Sequence, residues 1–465
     1  MKNSQSVVGY LPNERPSIGK LLFFAFQQML VMFPATVLVA LLTGFHLSTT
    51  IFASGVATIG FLLITRGKLP LYYGSSFSYI PAIVAVTGVQ MGQIASDDLI
   101  GQAQFGIICS GLVSILAGLI VIKFGMKVIE KVLPATVTGT IAMTIGLSLT
   151  STALSNAAAY DPVTGTASNA AWIVAIITLL ATVLFSVYLK GVLGQLSILL
   201  GIATGYIAAI VLELVFGLEF TMFDAEMKSI ITRITEVFNS NVVALPHFTV
   251  PKVNWSVALA IMPIALATIP ESTAHLVQLD LYVNDLARKK GKEEYPIKNK
   301  LGLNLIGDGA ADIISSIFGG PAGTNYGENL STMSITRNFS TTVLYVAAGM
   351  AVVVSLFTPL TRLIQTVPSP VINGACIYLF GAIAAQGAAI MVEKKVNLFN
   401  AKNLAVVATM FVIGVGGTFA FPNGMIPFFT VGDFAMELPA IATASVVGIL
   451  LNLLLSIGNK EAEQA

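Results

Sequence analysis

The chain has 465 residues, of which 55% are hydrophobic and only 10% charged, with a formal net charge of +1. A soluble globular chain carries roughly 25% charged residues, so this composition, with a mean hydropathy of +0.85, excludes an ordinary soluble domain and points to a polytopic membrane protein. The basic residues are scattered over loops, which gives no basis for a nucleic-acid partner, and Cys109 and Cys376 both fall in apolar runs, where they read as reduced buried thiols and not as a disulfide framework.

The first apolar run, 21–42, follows a polar N-terminus (1–20) and lacks the small-residue cleavage pattern of a signal peptide, so it is kept as a span. With a window of about 19 residues, about fourteen helical spans are predicted, starting near residues 21, 48, 72, 102, 132, 171, 191, 255, 300, 321, 341, 368, 403 and 435. Loop charges orient them. Lys2, Arg15, Lys20, Arg66, Lys68, Lys127, Lys131, Lys190, the run from Arg288 to Lys300, Arg337, Lys394, Lys395 and Lys402 all fall on one side, which is therefore cytoplasmic, as are both termini, including 457–465. The other side holds Asp97, Asp98, Asp161, the mixed-charge stretch from Glu219 to Lys252, and Asp433.

A charged loop between Asp280 and Lys300 divides the chain into halves of about seven spans each. An odd number inverts the second half, as in many secondary transporters. The third span of each half is interrupted: one reads Tyr72-Tyr73-Gly74-Ser75-Ser76-Phe77-Ser78-Tyr79-Ile80-Pro81, the other Gly319-Gly320-Pro321-Ala322-Gly323-Thr324-Asn325-Tyr326-Gly327-Glu328. Segments of this kind cannot satisfy their backbone as plain helices, so they are expected as short extended pieces running into half-helices that line a cavity. The fold class is thus all-α and polytopic, with two inverted repeats and extended segments in the third and tenth spans.

Glu271, in the apolar run Val257 to Val277, and Glu328, in the second interruption, are intramembrane carboxylates, a costly placement that usually marks substrate or proton handling. His275 and Gln278 follow Glu271 on one helix face. With Phe77, Tyr79 and Tyr326 as flat apolar faces, these groups suit a small planar ligand that carries both N–H donors and carbonyl acceptors. An inorganic anion fits poorly, since no Lys or Arg lies inside these spans. Each residue also has a plainer reading: a Glu271–His275 structural pair, Glu328 favoured by a helix dipole, core aromatics at Phe77 and Tyr326, Asp308 as a helix N-cap, and Gln27 and Gln28 bonding a neighbouring helix. No Ser-His-Asp set or phosphate loop suggests an enzyme, and His46, His247 and His275, scattered along the chain, argue against a metal site.

Gly74-Ser75-Ser76-Phe77, Glu271-x-x-x-His275 and Thr324-Asn325-Tyr326-Gly327-Glu328-Asn329, followed by Thr336-Arg337, resemble the uracil and xanthine permeases of the nucleobase–ascorbate transporter family, from about Phe23 to Leu455. The resemblance implies a core domain (21–124 and 255–364), a gate domain (125–217 and 365–456), an outer loop (218–254), frequent homodimers, a nucleobase substrate and a proton gradient as driving force, with no cofactor. It also implies that Glu271 and Glu328 bond the ring, that main-chain amides at Phe77 and Gly327 meet its carbonyls, with Ser76 and Tyr326 beside them, and that His275 supports coupling. Asn329, Asp308, Gln28 and Phe380 are supporting candidates. Gln28 stands where the family usually has a histidine, Ser331 where glycine is usual, Phe380 where some members have tyrosine, and Asp312 is an added acid. A purine permease of the same family and an anion transporter on the same scaffold remain alternatives to uracil.

Overall fold

The computed structural model describes residues 9–89, 92–161, 164–218, 228–239, 241–431 and 434–457; Lys2, Glu219, Asp433 and the stretch 458–465 lie outside them. The main elements are α1 (Ile18–Thr43), α2 (Leu47–Ile64), β1 (Tyr73–Ser75), α3 (Ile80–Thr87), α4 (Asp97–Phe124), α5 (Ala135–Ser148), α6 (Asn169–Tyr188), α7 (Ser197–Phe216), α8 (Ala265–Lys289), α9 (Leu301–Ile317), β2 (Gly323–Asn325), α10 (Gly327–Thr336), α11 (Thr341–Ser355), α12 (Ser369–Glu393), α13 (Ala401–Phe411), β3 (Met425–Val431), β4 (Phe434–Pro439) and α14 (Ala440–Ser456). Among the described residues nine helices are long and apolar enough to cross a membrane, and Phe77–Thr87, Thr341–Ser355 and Ala440–Ser456 are shorter apolar ones.

The two halves repeat in inverted order. β1 and β2 each lead into a half-helix, and the alternation of buried and half-buried residues over 71–80 recurs position for position over 321–330. Packing follows the same rule: α4 lies on α9, and their counterparts α11 and α2 lie on each other. Without a hydrophobic drive between helices in lipid, such contacts depend on close backbone approach at small residues. A Cβ on Gly118 would stand 2.6 Å from the Gly302 carbonyl, and one on Gly302 2.6 Å from the Gly118 carbonyl. A second group of helices forms around α12, which packs on α5 and α6, with α7 on α6 and α14 on α13. There, a Cβ on Gly387 would stand 2.5 Å from the Gly139 carbonyl.

Loops assigned to one face do meet. Tyr10 donates its amide to the Arg337 carbonyl at 2.8 Å and accepts from the Phe339 amide at 2.8 Å, while Lys290 and Lys292 hold Glu14 at 2.6 and 2.5 Å. At the opposite end Lys252 reaches Asp98 at 2.7 Å.

Two expectations need correction. The last helix begins at Ala440, not near 435, because 425–439 folds as the antiparallel pair β3–β4, irregular between Pro427 and Phe429; prolines and a run of β-branched and aromatic residues disfavour helix there. The span expected from about 132 is present over Ala135–Ala157, with Pro134 directly ahead of it. The stretch 218–254, expected as an outer loop, includes a helix among its described residues: Ile230–Phe238 packs on Thr358–Gln365, and Arg233 donates to the carbonyls of Gln365 and Thr366.

Candidate functional site

Glycine and small residues let β1 and β2 approach at the centre of the first helix group. They pair antiparallel, Tyr73 with Asn325, Gly74 with Thr324 and Ser75 with Gly323, and the ladder continues outward through Ser76 N–H to Ala322 O at 2.9 Å and Tyr326 N–H to Tyr72 O at 2.9 Å. Each strand then opens a helix. Ser76 caps the first, accepting from the Ser78 amide at 3.2 Å, and α10 starts at Gly327. The first amides of a helix have no partner within it, so Phe77 and Gly327 present free main-chain donors from two facing helix starts.

α8 brings the other groups. It continues the helix Trp255–Ile261 through the tight turn Met262–Ile264, and Pro270 interrupts its ladder directly before Glu271. His275 Nε2 lies where a Cβ on Gly327 would come within 2.8 Å, so α8 and α10 touch at that glycine. Glu271 and Glu328 are close enough to feel each other's charge. No side chain among the described residues bonds either carboxylate, and both residues are half-buried, not sealed off. Glu328 lies in the first turn of α10, where the dipole favours an acid, so its plainer reading also has a structural basis.

Tyr326 is placed differently from its expected role as a ring face. Its ring is 3% exposed and occupies the space a Cβ on Gly74 would need, and its hydroxyl donates to the Ser75 carbonyl at 3.0 Å and meets Thr36 Oγ1 at 3.0 Å. It is part of the strand scaffold. Gln28 and Asn329 come together, Asn329 Nδ2 donating to the carbonyl and Oε1 of Gln28, both at 2.8 Å; the residue in place of the usual histidine thus ties α1 to α10. Phe380 is buried on α12, where its carbonyl meets Gly146 of α5.

Asp308 is not an N-cap. It lies well inside α9, which starts at Leu301, and its carboxylate accepts from Ser272 and, at 3.2 Å, from Asn325 Nδ2. One turn on, Asp312 accepts from the Tyr73 hydroxyl at 2.5 Å and from the Gly323 amide at 2.8 Å. The two acids therefore bind β1 and β2 to α9 from behind. The spacing of Asn304, Asp308 and Asp312, one turn apart on one face, is the sequence signal for this network, and the partners on the strands were not readable from it.

A family model described as "Permease family" (Xan_ur_permease) matches residues 19–423. The chain belongs to this permease family. This permease is 32% identical to the uracil permease of Bacillus caldolyticus over 449 residues, 95% of this chain and 93% of that one, and 31% identical to the uracil permease of Escherichia coli K12 over 446 residues, 96% and 93% of the two chains. The putative pyrimidine permease RutG of Escherichia coli K12 is 34% identical over 451 residues, 96% of this chain and 91% of that one. Among solved structures, the transmembrane domain of a cyanobacterial bicarbonate transporter, BicA, matches with a TM-score of 0.52 at 14% identity, covering 97% of the permease and 100% of that chain. The murine anion transporter Slc26a9 in its inward-facing state matches with a TM-score of 0.63 at 10% identity, covering 96% and 69%. At such identities these two share the fold alone.

Proposed function

We propose that this permease imports a nucleobase, uracil first, across the cytoplasmic membrane by proton-coupled symport and alternating access. In this reading about fourteen spans divide into a core (21–124 and 255–364) that carries the site and a gate (125–217 and 365–456) that moves against it. The observation that carries the proposal is the pair of carboxylates, Glu271 and Glu328, that no side chain among the described residues bonds, beside the free amides of Phe77 and Gly327. Carboxylates accept from ring N–H groups, amides donate to ring carbonyls, and a pyrimidine dione presents both on one flat edge. The relatives named uracil permeases support the same substrate class. The bicarbonate and anion transporters share only the fold, and two carboxylates that no cation among the described residues pairs with disfavour an anion. His275, against Gly327 and one turn from Glu271, is the proposed proton carrier. Competition of labelled uracil uptake by unlabelled pyrimidines and purines, with and without a protonophore, tests the reading: uracil should compete best and the protonophore should abolish accumulation. Better competition by xanthine, or accumulation indifferent to the protonophore, would overturn the substrate or the coupling respectively.

A further inference from the structure

At the outer end of the first helix group, far along the chain from one another, two of the three histidines converge on one carboxylate. His46 belongs to the turn between α1 and α2, Asp97 opens α4, and His247 lies in the segment that leads to α8. His247 Nε2 stands 2.9 Å from Asp97 Oδ2 and His46 Nε2 3.5 Å from Asp97 Oδ1, with the two rings 4.3 Å apart, centroid to centroid. All three donor atoms fall within 4.8 Å of one another, and His46 Nε2 is buried with no hydrogen-bond partner.

We propose that His46, Asp97 and His247 form an outward-facing binding site for a divalent transition cation of the zinc class. Two imidazole nitrogens and one carboxylate oxygen are a donor set that suits zinc, with a fourth position open to water. Tetrahedral zinc ligands at 2.0–2.1 Å sit roughly 3.3 Å from each other, so His247 and Asp97, at 2.9 Å, must open slightly while the wider pairs, within 4.8 Å, draw together. The donors are held in place from behind: Thr49 Oγ1 donates to the His247 carbonyl at 2.6 Å, Gln104 Nε2 to the Thr249 carbonyl at 3.2 Å and the Lys252 amide to the Gly101 carbonyl at 2.8 Å. Asp98, the adjacent acid, is engaged by Lys252 and Gln102, which leaves Asp97 as the ligand. A bound cation would staple the 247–252 segment to α2 and α4 and stabilise the folded chain by linkage. The scattering of these histidines in sequence had argued against any metal site; the fold removes that objection.

The test uses the full-length, tag-free protein in detergent, titrated with CoCl2 and monitored by visible absorption, then displaced with ZnCl2. One equivalent of Co2+ per chain should bind with tetrahedral ligand-field bands, and Zn2+ should raise the melting temperature. His46→Ala and His247→Ala should each weaken binding by more than the roughly 10–100-fold cost of losing a mere supporting group, and His247→Cys should restore it with a new sulfur-to-cobalt charge-transfer band. Unchanged binding in the monodisperse double alanine variant, or no saturable binding in the native chain, overturns the proposal.

Discussion

Gly74→Ala tests the strand scaffold at its tightest point. The added methyl would enter the space held by the Tyr326 ring, and neither side can yield easily: Gly74 is pinned opposite Thr324 in the β1–β2 ladder, and the Tyr326 hydroxyl is tied to Ser75 and Thr36, each at 3.0 Å. Overpacking of this kind costs about 1–3 kcal/mol. Displacing the ring also breaks two hydrogen bonds, each about 0.5–1.5 kcal/mol, so the expected loss is about 2–6 kcal/mol, a large share of a typical 5–15 kcal/mol stability. Tyr326→Phe, which keeps the ring and deletes only the bonds, should lose about 1–3 kcal/mol. Thermal unfolding of purified variants with uracil affinity on the same samples gives both readouts. Gly74→Ala should lower melting temperature and affinity together and more than Tyr326→Phe does. If Gly74→Ala melts and binds as the native protein does, the close packing of Tyr326 on β1 does not hold the site.

Gly327→Val should abolish uracil binding while membrane insertion persists, because the side chain drives into His275 and not because of backbone strain, since Gly327 is absent from the positive-φ residues; full binding on a monodisperse sample would refute it. His275→Ala should keep equilibrium binding and lose gradient-driven accumulation, and equal loss of both would point to a structural role. Glu14 has a pH signature. Burial alone would raise it, but bonds from Lys290, Lys292 and the Leu11 amide hold it at about 2, below its usual 4.5. A depressed carboxylate stabilises the fold above the unfolded value and loses that contribution as pH falls toward the folded one. The melting-temperature deficit of Glu14→Gln should therefore be full at neutral pH and shrink between 4.5 and about 2; a pH-independent deficit would refute the ion pairing.

Much of the architecture was legible because hydropathy and loop charge are long-range signals that a membrane forces on the sequence. The paired interruptions at Gly74 and Gly323 were readable for the same reason: glycine-rich polar segments have no place in lipid unless buried in protein. Glu271 and Glu328 stood out through their cost. What escaped was what depends on three-dimensional convergence. The ring of Tyr326 could not be assigned to the scaffold before Gly74 was known to lie beneath it, Asp308 resembled a cap only while the start of α9 at Leu301 was unknown, and His46 and His247 meet only after α1, α2 and α4 have assembled. The β3–β4 hairpin was hidden in an apolar stretch whose hydropathy fits either strand or helix.

The central claim is that Glu271 of α8 and Glu328 in the first turn of α10 hold the substrate, and equilibrium binding of labelled uracil to purified Glu271→Gln tests it most directly. The change keeps shape and removes a charge-assisted hydrogen bond, so affinity should fall by about 1.5–3 kcal/mol, roughly tenfold to a hundredfold, on a sample that elutes and melts as the native protein does. Native affinity in Glu271→Gln would contradict the account, since the ligand would then bind without the group around which the site is built.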